Sequence, residues 1–273
     1  MASTKVTVVL VTGGSSGIGA SIVRLLSNAG MHVWAGSRRG TLEDGSLANV
    51  TPLVMDVNDE ASVKAAIDKI LAAEGHIDAV VCNAGNGIAG AIEQTTVEEG
   101  KYQFETCFWG AHRTIRAVLE PMRSQGFGRI ITISSVAAVV PIPFQAFYSA
   151  VKASVLIYTK ALRLELKPFG IQCCSILPGD TKTGFTAARK FVKASDDEGS
   201  VYFKKTKESV GRMEHDEQNG MNPDKIAKAV LRQLQRRKMA PTSTPRIDYK
   251  AINLLVRLLP TKLMLWIVGK LYA

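Results

Sequence analysis

The 273-residue chain has little of what builds metal centres or disulfide scaffolds: four cysteines and four histidines. Cys82, Cys107, Cys173 and Cys174 form no CxxC pair and have no histidine at ligand spacing, so no metal site is expected. Cys173 and Cys174 are neighbours in a strand-like run and should point to opposite faces. Thiols of this kind read as buried in a reducing compartment, which makes the cytoplasm the expected location. Residues 1–5 pass straight into an apolar run at 6–11, without a basic region and small-residue cleavage site, so no secretory leader is read. No apolar run approaches the ~20 residues needed to span a bilayer. Aromatic residues make up only 7%. No basic stretch is interleaved with them and no DNA-reading helix signature occurs, so no nucleic-acid partner is expected.

What is present is a hydrophobic fraction of 46%, enough for a substantial core in one large domain. The net charge of +10 is uneven. Residues 187–273 hold 18 Lys and Arg against 9 Asp and Glu, so nearly all of the basic excess lies in the C-terminal third. Short β-branched runs at 6–11, 32–36, 51–55, 77–82, 129–134 and 171–177 alternate with helix-period stretches at 18–28, 60–73, 98–124 and 150–166. That alternation predicts an α/β fold: a single Rossmann-type, doubly wound parallel sheet flanked by helices. Gly30, Gly75 and Gly170 stand where helices should stop. Beyond residue 185 the rhythm changes. Residues 186–221 read as a polar, loop-rich lid with its tip at Asp196–Ser200, and 222–273 as a C-terminal helical extension, with helices over 222–237 and 250–273 and a break at Pro260.

The first strand ends in Thr12-Gly13-Gly14-Ser15-Ser16-Gly17-Ile18-Gly19, directly before a helix. Glycines at 13 and 17 let the backbone turn tightly beside a pyrophosphate, and the helix N-terminus supplies amides and a positive dipole end. Gly19 allows the helix to pack close to the sheet. With Ser15, Ser16 and Ile18, this turn is the predicted phosphate cradle of a dinucleotide. At the end of the second strand a carboxylate would select NAD(H). Ser37, Arg38 and Arg39 stand there instead, a hydroxyl and two guanidiniums suited to a 2′-phosphate. NADP(H) is therefore expected over NAD(H), with Glu43 and Asp44 read as too far along the loop to interfere.

Of the six tyrosines, only Tyr148 has a lysine four residues on, Lys152, one helical turn away on the same face. A phenol titrates near 10, and bringing it near 7 takes about 4 kcal/mol of preferential phenolate stabilisation. An adjacent ammonium and an oxidised nicotinamide both pull in that direction. Ser135, at the end of the fifth strand-like run, is placed to bond a substrate oxygen.

These residues resemble the short-chain dehydrogenase/reductase family. Thr12–Gly19 is similar to its TGxxxGIG turn, Asn83-Ala84-Gly85 to its NAG motif, and Ser135, Tyr148 and Lys152 to its catalytic serine and YxxxK pair. Pro178-Gly179-Asp180-Thr181-Lys182-Thr183 resembles the stretch that holds the nicotinamide carboxamide. The resemblance runs from about residue 5 to 185. It implies that Asp56 and Val57 flank the adenine and that Asn83–Gly85 line the ribose side. Lys152 is implied to bond the nicotinamide ribose, and Pro178, Gly179, Thr181 and Thr183 to hold the amide. One position departs from the pattern: Cys107 replaces the asparagine the family uses in a proton relay, and no asparagine lies between Asn86 and Asn219. If the relay water rests on the main-chain carbonyl, Cys107 preserves it; otherwise proton exchange slows.

The resulting expectation is an NADP(H)-dependent oxidoreductase interconverting a hydrophobic secondary alcohol and its ketone, with Tyr148 as acid and base. Val136, Ala137, Phe144 and Phe185 are the predicted substrate wall, within the apolar run 136–144. The C-terminal extension resembles that of hydroxysteroid and retinol dehydrogenases. The alternative is a catalytically weak NADP(H)-binding regulator or scaffold of the same fold. The tail 250–273, whose apolar runs are interrupted by Lys250, Arg257, Lys262 and Lys270, has two readings: packing near the pocket or against a partner subunit, or peripheral contact with an anionic membrane. The resemblance also implies a homo-oligomer, whose usual contacts that tail could block or replace.

Overall fold

The computed structural model describes residues 6–43 and 45–272, with Arg257 described by its backbone alone. The leader reading at residues 1–5, Asp44 and the Arg257 side chain lie outside the described residues.

The chain runs β1 (Val8–Thr12), α1 (Gly17–Asn28), β2 (His32–Ser37), β3 (Val50–Val54), α2 (Glu60–Glu74), β4 (Ala79–Cys82) and β5 (Ile88–Ala89). There follow α3 (Val97–Phe104), α4 (Gly110–Ser124), β6 (Gly128–Ile133), α5 (Ala146–Glu165), β7 (Ile171–Ile176), α6 (Phe185–Ala188) and β8 (Lys190–Phe191). The chain closes with α7 (Phe203–Gln218), α8 (Asp224–Gln235), β9 (Thr242–Ser243), α9 (Ile247–Leu258) and α10 (Thr261–Tyr272). Seven strands form one parallel sheet in the order β3-β2-β1-β4-β6-β7-β9; β5 and β8 pair separately.

The two-residue period of a strand explains the two cores. Val9, Val11, Val33, Val81, Ile131, Cys174 and Ile176 face α1 and α8, where Ile22, Leu26, Ile226, Val230 and Leu234 meet them. Val8, Leu10, Trp34, Val80, Ile130 and Cys173 face α2, α4 and α5, against Ile67, Ile70, Ile115, Val118 and Leu162. Cys173 and Cys174 thus enter opposite cores, as their adjacency requires, and all four cysteines are buried free thiols. Each fully buried Leu or Ile contributes about 1.5–3 kcal/mol, so both faces must be covered. The strand order reverses between β1 and β4, and it is the C-terminal ends of these strands that open a crevice.

Besides the two-residue strands β5, β8 and β9, which the sequence reading did not include, two elements differ from it. The stretch read as one helix over 98–124 is broken by a π turn, Glu105–Trp109; α3, which runs into that turn, starts from a Thr96–Glu99 capping box. A π turn is invisible to a 3.6-residue period because its hydrophobic positions still fall on one broad face. The polar segment read as a loop-rich lid contains a 16-residue helix, α7. Its charged outer face hid the buried positions Thr206, Ser209, Val210 and Met213, two of which are hydroxyls. Asp196 ends a 3-10 segment, and Asp197–Ser200 remains a turn between that segment and α7.

Candidate active site

The crevice between β1 and β4 is braced by side chains that the glycine turn needs. Thr12 Oγ1 accepts from the amides of Asn83 and Ala84, both at 3.1 Å. Asn83 Nδ2 donates to the carbonyls of Thr12 and Gly13, both at 3.1 Å. Gly13 and Gly17 hold φ of 64° and 55°, in the left-handed region. A Cβ on Gly19 would stand 2.0 Å from the Gly13 carbonyl oxygen, so α1 can close on the turn only if that residue is glycine. Gly19 does not border the crevice; its part is packing, as the sequence suggested.

The crevice continues into a cavity of about 900 Å³. Gly13, Ser15, Ser16, Gly17 and Ile18 border it at one end, beside Ser37, Arg38, Arg39, Asp56 and Val57. Asn83, Ala84 and Gly85 follow, then Ser135, Val136, Ala137, Tyr148 and Lys152, with Pro178, Gly179, Thr181, Thr183 and Phe185 opposite. Apart from Gly19 and Phe144, every predicted site residue meets this one space. Phe144 does not border it. Its backbone is left-handed, φ 58°, and its carbonyl accepts from the Gly90 amide at 2.8 Å, so the chain turns toward the β5 end before α5 begins. Glu43 is nearer than the loop reading allowed. It borders the cavity, its amide bonds the Ser15 carbonyl at 3.3 Å, and its carboxylate pairs with Arg39 at 3.6 Å. Arg38 remains an exposed guanidinium at the same rim.

Tyr148 and Lys152 share one face of α5, with the Lys152 Nζ 5.6 Å from the centre of the Tyr148 ring. Lys152 is buried, and its ammonium donates to the Ile133 carbonyl at 3.0 Å, which ties it to the end of β6. Ser135 caps a 3-10 turn; its Oγ accepts from the Ala137 amide at 3.0 Å. Phe185 packs on Tyr148 with ring centres 5.8 Å apart. At Tyr148 two effects oppose each other. Loss of water around the hydroxyl pushes its pKa above the usual phenol value, while Lys152 and a hydrogen bond with Ser135 pull it down without prevailing.

Other residues at the site carried weaker signals. Cys107 is buried on the π turn, its Sγ 3.3 Å from both Asn86 Oδ1 and Gln103 Nε2. Asn86 directly follows the Asn83–Gly85 motif and, with Gln103 of α3, brings a side-chain amide to Cys107. The far end of the cavity is bordered by Ile252, Leu255, Val256, Met264 and Val268 of α9 and α10, so the tail packs near the pocket. Its leucine spacing marked the helices, and packing near the pocket was one of the two readings of the tail. Tyr249 carried no signal. Its hydroxyl donates to Asp180 Oδ2 at 2.6 Å and accepts from the Asp180 amide at 3.1 Å. Its ring lies where a Cβ on Gly179 would be, 2.2 Å away. Glu217 of α7 also borders the cavity, ion-paired to the buried Arg189; burial pushes its carboxyl above the usual range.

A parallel sheet with its crevice at the strand-order reversal, a glycine turn there, and a serine, tyrosine and lysine beside it define a class. The chain matches the short chain dehydrogenase family over residues 7–192 and belongs to it, a family of oxidoreductases acting on CH–OH and keto groups. It is similar to the 3-ketodihydrosphingosine reductase of Bacteroides thetaiotaomicron, 38% identical over 230 residues, covering 84% of each chain. It is also similar to the cyclopentanol dehydrogenase of Comamonas testosteroni, 35% identical over 66% of this chain and 74% of that one. Among solved structures, a short-chain dehydrogenase from Streptomyces avermitilis superposes with a TM-score of 0.80 at 29% identity, over 92% of this chain and 94% of that one.

Proposed function

We propose that the protein is an NADP(H)-dependent oxidoreductase that interconverts a hydrophobic, lipid-like alcohol and its ketone, with Tyr148 passing the proton. The observation that carries this reading is that the glycine turn, the Ser135–Tyr148–Lys152 cluster and an apolar far wall border one continuous cavity. The turn fits a dinucleotide. A Cβ on Gly13 would stand 2.9 Å from Ala84 Cα, so the cradle is kept bare. Ser16, the N-cap of α1, makes no side-chain cap, which leaves the first-turn amides to an anion. Gly13, Ser15, Ser16, Gly17 and Ile18 would hold the pyrophosphate, Asp56 and Val57 the adenine, and Asn83–Gly85 with Lys152 the ribose. Pro178, Gly179, Thr181 and Thr183 would hold the nicotinamide amide. A nicotinamide dinucleotide bound there supplies hydride in reduction and accepts it in oxidation.

In reduction, Tyr148 gives its phenolic proton to the carbonyl oxygen, to which Ser135 donates a second hydrogen bond. Lys152 stabilises the phenolate left behind. Oxidation reverses these transfers, with the phenolate as base. Because burial raises the phenol, its protonated form persists through neutral pH. Reduction is therefore expected to hold level across neutral pH and fall only in the alkaline range, whereas oxidation rises with pH; kcat/KM against pH in both directions checks this. Residues 186–221 act as cover and α9–α10 as the apolar end wall for the substrate chain. A relative named for a keto form of dihydrosphingosine, matched over 84% of its length, favours a long-chain ketone over a steroid.

The preference for NADP(H) rests on Ser37, Arg38 and Arg39 at the rim. Replacing both arginines with alanine is expected to lower kcat/KM for NADPH by roughly tenfold to a hundredfold, while NADH changes little. Equal use of the two cofactors by the parent enzyme would overturn the preference. The test of the function itself is NADPH oxidation over long-chain, alicyclic, steroid and retinoid carbonyls, with cofactor binding measured in parallel. Binding without turnover across that range would favour the regulator or scaffold.

A further inference from the structure

A short helix on the surface of a folded body ordinarily buries one face and shows water a polar one. α9 and α10 depart from this. Inward, they form the end wall of the cavity. Outward, Ile247, Leu254 and Leu258 are 84%, 58% and 70% exposed and lie on one stripe of α9, at i, i+7 and i+11. On α10, Leu263 and the 62%-exposed Trp266 lie on a second stripe, at i and i+3, which Lys270 continues at i+7. Scattered surface leucines are ordinary, but apolar stripes on two successive helices mark a contact surface.

The charge around these stripes says what covers them. Residues 246–272 hold five Lys and Arg and a single acid, Asp248, which is already paired with Arg246. Lys250, Lys262 and Lys270 are exposed. A second copy applied through a two-fold axis would set this basic face against itself, with no unpaired carboxylate among residues 246–272 to offset it. A neutral apolar partner would leave the lysines unanswered. Each helix, twelve residues long, measures about 18 Å. That is well short of the ~30 Å hydrocarbon core, and among the described residues no helix is long and apolar enough to cross a membrane.

We propose that α9 and α10 rest in the interface of an anionic phospholipid membrane. Leu254, Leu258 and Trp266 enter the boundary between headgroups and acyl chains, and Lys250, Lys262 and Lys270 reach the lipid phosphates with their stems laid along apolar surface. Trp266 suits that depth because its ring is apolar and its N–H finds a partner among the headgroups.

The test is flotation of the intact protein with vesicles of phosphatidylcholine alone and of phosphatidylcholine mixed with phosphatidylserine. Three lysines, each contributing about a fivefold gain near an anionic surface, predict roughly a hundredfold stronger partitioning to the mixed vesicles at low salt, and loss of that gain at high salt. The triple variant Leu254→Gln, Leu258→Gln, Trp266→Gln removes the apolar anchors without touching the cavity, and is expected to stay in the unbound fraction. Lys250→Glu, Lys262→Glu, Lys270→Glu should do the same on exposed positions, and stands in if the first variant fails to fold. Absence of flotation, equal binding to neutral vesicles, or full binding by a folded variant overturns the proposal. So does sedimentation showing a dimer that the leucine and tryptophan changes dissolve, which would give this face to a second copy. Flotation requires no turnover, so failure of the oxidoreductase reading leaves this test intact.

Discussion

Replacing Tyr148 with phenylalanine is expected to lower kcat by about a hundredfold to ten-thousandfold, the range that one positioned proton donor contributes. The substitution is a clean one because the ring itself is used twice in packing. Its centre lies 5.8 Å from that of Phe185 and 5.6 Å from the Lys152 ammonium. Phenylalanine keeps both contacts and removes only the hydroxyl, so folding and NADPH affinity should remain near those of the parent. Single-turnover measurement of NADPH oxidation, with cofactor titration by fluorescence, separates the two effects. Turnover above about a few per cent of the parent rate would mean that another group delivers the proton.

The second large effect is structural and sits behind the glycine turn, where α1 packs against it. Gly19→Ala places a methyl 2.0 Å from the Gly13 carbonyl oxygen and 2.7 Å from Asn83 Nδ2. Neither neighbour can withdraw cheaply, because Gly13 is held in the left-handed turn and Asn83 braces β1 to β4. Relief must come from moving α1 away from the turn, at the usual overpacking cost of about 1–3 kcal/mol. The expected outcome is a Tm lower by about 2–10 °C and a weakening of NADPH binding by more than about tenfold, since the cradle amides move with the helix. Gly211→Ala provides the contrast. It lies exposed within α7 with open space around its Cβ, and should gain about 0.5–1 kcal/mol from helix propensity alone. Thermal denaturation of the two variants, with calorimetric titration of NADPH, checks both.

Legibility in the sequence followed the range of each interaction. The six apolar runs became β1, β2, β3, β4, β6 and β7 with ends shifted by at most two residues; five are interior strands, for which continuous apolarity is what double coverage requires, and β3 is the edge. Gly75 and Gly170 stop helices in the left-handed conformation, as local chain geometry dictates. The glycine turn and the Tyr148–Lys152 pair are local spacings, and each reached the cavity. Phe144 was misjudged because proximity to Ser135 along the chain says nothing of a left-handed turn that redirects the backbone. Glu43 was misjudged for the opposite reason: a loop that looks long folds back, and its amide closes on Ser15. α7 was hidden because its buried side is partly hydroxylic and its outer side heavily charged.

The alternation of strands and helices, the bare phosphate turn, the one-turn spacing of phenol and ammonium, and the gathering of positive charge in the last third belong to the sequence alone. Periodicity, missing side chains and charge act over a few residues and need no knowledge of the rest of the chain. Where the tail goes was settled only by tertiary packing. α9 and α10 could have covered any apolar surface; they close the end of the cavity, and Tyr249 fills the space that Gly179 leaves open, from 70 residues away. The acidity of Tyr148 was decided in the same way. Its helix places an ammonium beside it, but Phe185, brought in by another element, packs on its ring, and burial outweighs the local charge.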